Sequence, residues 1–130
     1  MKQKQQKSAT GLTLGLDLDG TIDEAPGFFE GLTHAWSGRV VIVTFRSDRA
    51  KAESDLRRFR IRYDELILAD SLEGKARIIE EQGIGVYFDD QPETLKHIPP
   101  SVHVMLVRND GNFDFDSRLW VLSEKTGKLI

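Results

Sequence analysis

Leu12-Thr13-Leu14-Gly15-Leu16-Asp17-Leu18-Asp19-Gly20-Thr21 carries the reading of this chain. The apolar run from Leu12 to Leu18 has the length and bounds of a buried strand, and it ends among carboxylates. Side chains on a strand alternate with period two, so Asp17 and Asp19 point the same way. Gly20 and Thr21 turn the chain at once, which leaves both acids at the carboxyl edge of a sheet. Open α/β folds bind their ligands along that edge. Two acids so placed can hold a divalent cation, or they can divide nucleophile and acid/base duties. An Asp-rich turn after a strand, with no chemistry attached, is the competing reading of the pair taken alone.

Three further segments repeat the pattern of a buried run followed by a polar residue. Arg39 to Val43 leads into Thr44-Phe45-Arg46-Ser47, Lys75 opens a helical stretch soon after Leu66-Ile67-Leu68, and Val86-Tyr87-Phe88 ends in Asp89-Asp90. Strands and helices alternate, the signature of a parallel sheet with crossover helices on both faces. The pattern places strands near 12–18, 39–44, 65–69, 84–88 and 102–107, and helices near 27–37, 48–60, 74–82 and 92–97. In the second helix Ala52, Leu56 and Phe59 form a core-facing stripe, and in the third Ala76, Ile78 and Ile79 do so. Ser47 or Asp48 is expected to cap the second helix, and Gly83 to stop the third. Asp110-Gly111-Asn112 and Thr126-Gly127-Lys128 read as turns, with a last strand between them over Arg118 to Leu122.

The order of these motifs (acid pair, threonine, lysine, acid pair, each at its strand or helix) resembles the haloacid dehalogenase-like superfamily of phosphohydrolases across roughly residues 12 to 95. The resemblance implies a three-layer, Rossmann-like sheet of about five parallel strands. Relatives insert a cap domain either just after the first strand or between the third strand and the lysine. Only Ile22 to Gly27 and Asp70 to Gly74 are available at those places, too little for a lid domain, so a capless member with an open site is expected. By the resemblance Asp17 is the nucleophile that forms an aspartyl-phosphate, and Asp19 protonates the leaving oxygen and later activates water. Thr44 donates to a phosphoryl oxygen, and Lys75 reaches both Asp17 and the phosphoryl group. Mg²⁺ is held by the Asp17 carboxylate, the Asp19 main-chain carbonyl and the acid pair. Asp90 is expected as the direct ligand with Asp89 supporting it. Relatives carrying Gly-Asp here place a further acid four residues on, where this chain has Thr94.

Several residues keep two readings. Arg46 is either a contact for a second anionic group of the substrate or a surface arginine. Thr44 and Lys75, each taken alone, read as an ordinary strand residue and a solvent-facing lysine. The run Arg57-Arg58-Phe59-Arg60-Ile61-Arg62 is flanked by Glu53, Asp55, Asp64 and Glu65, which favours a solvated mixed-charge face over a nucleic-acid face. His34, His97 and His103 lack ligand spacing. Asp114-Phe115-Asp116 repeats the acid alternation without the preceding strand, so a place at the pocket mouth is the lesser reading.

Composition bounds the rest. At 130 residues the chain is expected to be one domain over 11–130 behind a polar, flexible tail over 1–10. A net charge of −3 argues against a dedicated nucleic-acid binder, and no apolar stretch reaches the length of a membrane span. With no cysteine, thiolate zinc sites and cysteine nucleophiles are excluded, and residence in the cytoplasm is the expectation. The resemblance implies a small phosphorylated substrate such as a nucleotide or sugar phosphate. The alternatives are trimming of nucleic-acid ends at an open site, or a non-catalytic binding or regulatory module that keeps the fold.

Overall fold

The computed structural model describes residues 12–121. Five parallel strands, β1 (Thr13–Leu16), β2 (Val40–Thr44), β3 (Glu65–Leu68), β4 (Ile84–Asp89) and β5 (His103–Leu106), form one sheet in the order β3-β2-β1-β4-β5. The helices between them are α1 (Pro26–Ala35), α2 (Arg49–Arg58), α3 (Leu72–Glu81) and the single turn α4 (Pro92–Leu95). This is the α/β, Rossmann-like sheet expected from the alternation, and no cap domain occurs among the described residues. No helix among them is long and apolar enough to cross a membrane.

The layers follow from strand periodicity. Val40 and Ile42 of β2 pack into one apolar cluster with Phe29 of α1 and Ala52 and Leu56 of α2. The intervening Val41 and Val43 pack into a second cluster with Ile79 of α3 and Tyr87 of β4. A strand buried on both faces needs a continuous apolar run, and β2 reads Val-Val-Ile-Val-Thr with every residue buried. Gly15 is the one gap on β1. A Cβ there would lie 2.8 Å from Ile84 Cδ1 and 2.9 Å from Tyr87 Cδ1, so its absence lets the β4 side chains lie against the central strand.

Helix ends carry their expected signals with small shifts. Pro26 occupies the first position of α1. Asp48 rather than Ser47 caps α2, its Oδ1 accepting the Lys51 amide at 3.0 Å. Helix α3 starts two residues before the expected 74, because Ser71 Oγ accepts the Gly74 amide at 2.9 Å and sets the first turn there. Gly83, at φ +67, follows its last turn. Arg62, from the basic run, donates to the carbonyls of Thr33, Trp36 and Gly38 and so closes the end of α1.

The expected last strand joins no edge of the sheet. Its core, β7 (Leu119–Trp120), pairs antiparallel with β6 (Phe113–Asp114) in a separate hairpin. Phe113 stacks edge-on against Phe115 and Trp120 there. The tail, Leu122 and the Thr126-Gly127-Lys128 turn lie outside the described residues.

Candidate functional site

The carboxyl ends of β1, β2 and β4 are adjacent in the sheet order, so the residues that follow these strands converge. Asp17 lies one position past β1, with its amide donating to the Phe88 carbonyl at 3.0 Å, so the ladder extends up to it. Asp89 ends β4 and Thr44 ends β2; all three are buried. Lys75 comes in from the first turn of α3, 58 residues beyond Asp17 in the chain, and donates from Nζ to Asp17 Oδ1 at 2.9 Å. The same ammonium reaches Asp89 Oδ2 at 3.0 Å and lies 4.3 Å from the centroid of the Phe45 ring. A lysine only 1% exposed at a helix start is not a solvent-facing residue.

Tyr87 completes the buried cluster from below. Standing over Gly15, its hydroxyl donates to Asp89 Oδ2 at 2.6 Å, while Asp89 Oδ1 accepts the Gln91 amide at 2.9 Å. Asp89 is thus spent on Lys75, Tyr87 and its own loop, and Asp90, less buried, faces the cavity. Thr21 donates from Oγ1 to Asp17 Oδ2 at 3.3 Å. Thr44 Oγ1 accepts the Arg46 amide at 3.2 Å, which leaves the hydroxyl hydrogen free to donate elsewhere.

Burial sets the electrostatics. It pushes the Asp17 carboxyl well above the ordinary carboxylate range; the Lys75 charge opposes it, and Asp89 and Asp90 add to it. Burial also raises Asp90, against the hydrogen bonds of Asp17 and Asn109. For Lys75 burial works downward, but the charges of Asp17 and Asp89 outweigh it and the ammonium is held above its usual value. The Tyr87 phenol is raised by burial and then by Asp89, so it remains a donor.

Asp17, Asp89 and Asp90 each offer a carboxylate oxygen, and these lie within 4.8 Å of one another. The donor set is all oxygen, as a hard divalent cation prefers. Three carboxylates against the one ammonium of Lys75 leave a formal charge of −2 when all are ionised, which such a cation would balance. The residues present therefore fit a divalent cation.

Asp19 and Arg46 are placed differently from the cluster. Asp19 is exposed and borders the cavity, but its carboxylate is held in a two-pronged pair by Arg46, Nε to Oδ2 at 2.9 Å and Nη2 to Oδ1 at 2.7 Å. Arg46 Nη1 binds Asp55 Oδ2 at 2.6 Å. Arg46 is therefore neither an idle surface residue nor a free cation. The cavity, about 410 Å³, is lined by Asp17, Asp19, Thr44, Phe45 and Asp90 together with Asp23, Glu24, Glu93 and the asparagines 109 and 112. Asp114 lies away from it, closing the hairpin turn by accepting the amides of Asp116 and Ser117. Thr94 is buried with its hydroxyl 3.4 Å from Gln91 Oε1. His34 Nε2 contacts the Arg60 carbonyl at 3.0 Å, and the other two histidines are exposed.

Sequence reasoning missed Tyr87, Asn109 and Asn112. Tyr87 lies two residues before Asp89 on the same strand face, a signal available from period-two alternation. The asparagines sit in a stretch that reads as a turn, and nothing in their spacing tells that they face the acids. No protein-family model, curated protein or solved structure matches the chain.

Proposed function

We propose that the chain is a capless, magnesium-dependent phosphohydrolase of the haloacid dehalogenase-like superfamily that hydrolyses a small phosphomonoester. The observation that carries this reading is the buried contact of Lys75 with both Asp17 and Asp89. An ammonium there restrains the carboxylate and lies where charge would gather on a transferring phosphoryl group. Asp17 attacks phosphorus, forming a carboxylate–phosphorus bond as the ester oxygen–phosphorus bond breaks, and Asp19, released from its Arg46 pair and protonated, gives that proton to the departing oxygen. Asp19 then takes a proton from water, which attacks phosphorus, frees Asp17 and releases inorganic phosphate. Thr44 and Lys75 hold the phosphoryl oxygens. Asp17, Asp90 and the Asp19 carbonyl would hold Mg²⁺, with Asp89 behind them, and the ion supplies positive charge that lets an anionic nucleophile approach a phosphate.

The lining favours a small ester over a nucleic-acid end. Asp23, Glu24 and Glu93 stand at the cavity, and no Lys or Arg occurs among the described lining residues. A strand of phosphates would meet repulsion there rather than the basic track that binding needs. With Arg46 shared between Asp19 and Asp55, a second substrate anion would have to displace a carboxylate to use it.

Phosphate release from an aryl phosphate and a panel of phosphomonoesters, with and without Mg²⁺, tests the reading. Magnesium-dependent turnover in the wild type, reduced to background in Asp17→Asn, is the expected result. Equal rates for the two proteins across the panel would leave a binding or regulatory module instead.

A further inference from the structure

Asn109 and Asn112, in the loop after β5, hold each other and the acid cluster at once. Oδ1 of Asn109 accepts the amides of Gly111 at 2.8 Å and Asn112 at 3.0 Å, and Oδ1 of Asn112 accepts the amide of Asn109 at 2.8 Å. Two donors on Oδ1 fix which way the Asn109 amide faces. Its Nδ2 then donates to the Gly20 carbonyl at 2.9 Å and to Asp90 Oδ2 at 3.2 Å. Both amide hydrogens are spent, one on the loop after β1 and one on the loop after β4. Asn109 is buried, so water competes poorly for these contacts.

The two oxygens of Asp90 are thereby made unequal. Oδ2 carries the Asn109 hydrogen bond, and the carboxylate as a whole lies against Gly20, where a Cβ would run into both of its oxygens. The other oxygen is free of that donor. Ca²⁺ accepts carboxylates through two oxygens in large, flexible shells, whereas Mg²⁺ demands few ligands in strict geometry.

We infer that Asn109 is a positioning residue that makes Asp90 a one-oxygen ligand and so biases the site toward Mg²⁺ over Ca²⁺. The inference rests on the metal-dependent reading above. Groups behind a ligand commonly change metal affinity about 10- to 100-fold, enough to move such a preference.

Calorimetric titration of the full chain with MgCl₂ and separately with CaCl₂ tests it. Asn109→Asp keeps the acceptor for Gly111 and Asn112 and removes both donors; its added charge acts on both divalent ions, so the ratio of their dissociation constants isolates the effect. That ratio is expected to shift toward Ca²⁺ by about 10-fold or more in Asn109→Asp, and in the same direction in Asn109→Ala. Asp114→Ala removes the acceptor of the Asp116 and Ser117 amides in the neighbouring hairpin, away from the cavity, so it should lower the melting temperature and leave the ratio alone. An unmoved ratio in the Asn109 variant that folds, or an equal shift in Asp114→Ala, overturns the inference while the metal reading stands. Absence of Mg²⁺ binding by the wild type overturns both.

Discussion

Tyr87 illustrates how much of the candidate site is fixed by single side chains behind it. Its hydroxyl is the shortest contact of Asp89, in a fully buried position, and it shares Oδ2 with Lys75. Tyr87→Phe keeps the ring against Gly15 and deletes only that donor. A hydrogen bond to a charged acceptor contributes about 1.5–3 kcal/mol, and the carboxylate left behind keeps Lys75 and the Gln91 amide. The variant is expected to lose about 2 kcal/mol in denaturant unfolding with no change in the slope of the transition. A loss below a few tenths would mean that the hydroxyl contributes nothing net. Tyr87 was legible in principle, since residues 87 and 89 share a face of β4; tyrosine in a strand nevertheless reads as ordinary core filling until the acid above it is located.

At the level of elements, α2 is bound to the site through Asp55. Its carboxylate takes Arg46 at 2.6 Å, Arg58 at 3.0 Å and Lys51 at 3.2 Å, and the Arg46 hydrogen bond first, then Arg58, hold it below the usual carboxylate range. A carboxyl with a lowered folded pKa adds stability that is present above its unfolded value of about 3.9 and is lost as pH falls toward the folded value. Lys51 and Arg58 are 63% exposed, so water screens them and the whole contribution is about 1–2 kcal/mol. Thermal melts should therefore place Asp55→Asn below the wild type by a constant margin from about pH 6 to 8, narrowing below about pH 4. A margin independent of pH down to pH 3 would remove the charge from the explanation. Helix α2 itself was legible from Ala52, Leu56 and the Asp48 cap. Its tie to Arg46 was not, because a mixed-charge face shows which residues are charged and not which of them meet. The pairing of the last strand went unread for a similar reason: two residues of β7 carry too little pattern to say which backbone they pair with.

Across the whole molecule, the sheet order gathers three acids, two of them buried, and one buried lysine at one edge, and that arrangement opposes stability as it prepares chemistry. The strands, their order of acids and the lysine were readable because a doubly buried sheet demands apolar runs, and a polar residue ending such a run stands out. The asparagine clamp was hidden because Asn109 meets Gly20 across 89 residues and Asp90 across 19, contacts that only the fold creates. Asp17 carries much of that tension. Burial first, then Asp89 and Asp90 against the Lys75 charge, raise its pKa. A raised carboxyl contributes stability that is present below about pH 3.9 and lost as pH rises through the folded value. Asp17→Asn removes that loss, and Lys75 keeps Asp89 as its partner at 3.0 Å. In magnesium-free buffer the mutant should therefore gain on the wild type in melting temperature as pH is raised from about 4 to 8. Adding Mg²⁺ at a hundred times its dissociation constant should stabilise the wild type by about 2.7 kcal/mol and the mutant far less, closing or reversing the gap. If the gap is flat with pH, or Mg²⁺ lifts both proteins equally, Asp17 is neither the strained carboxylate nor the cation ligand argued for it.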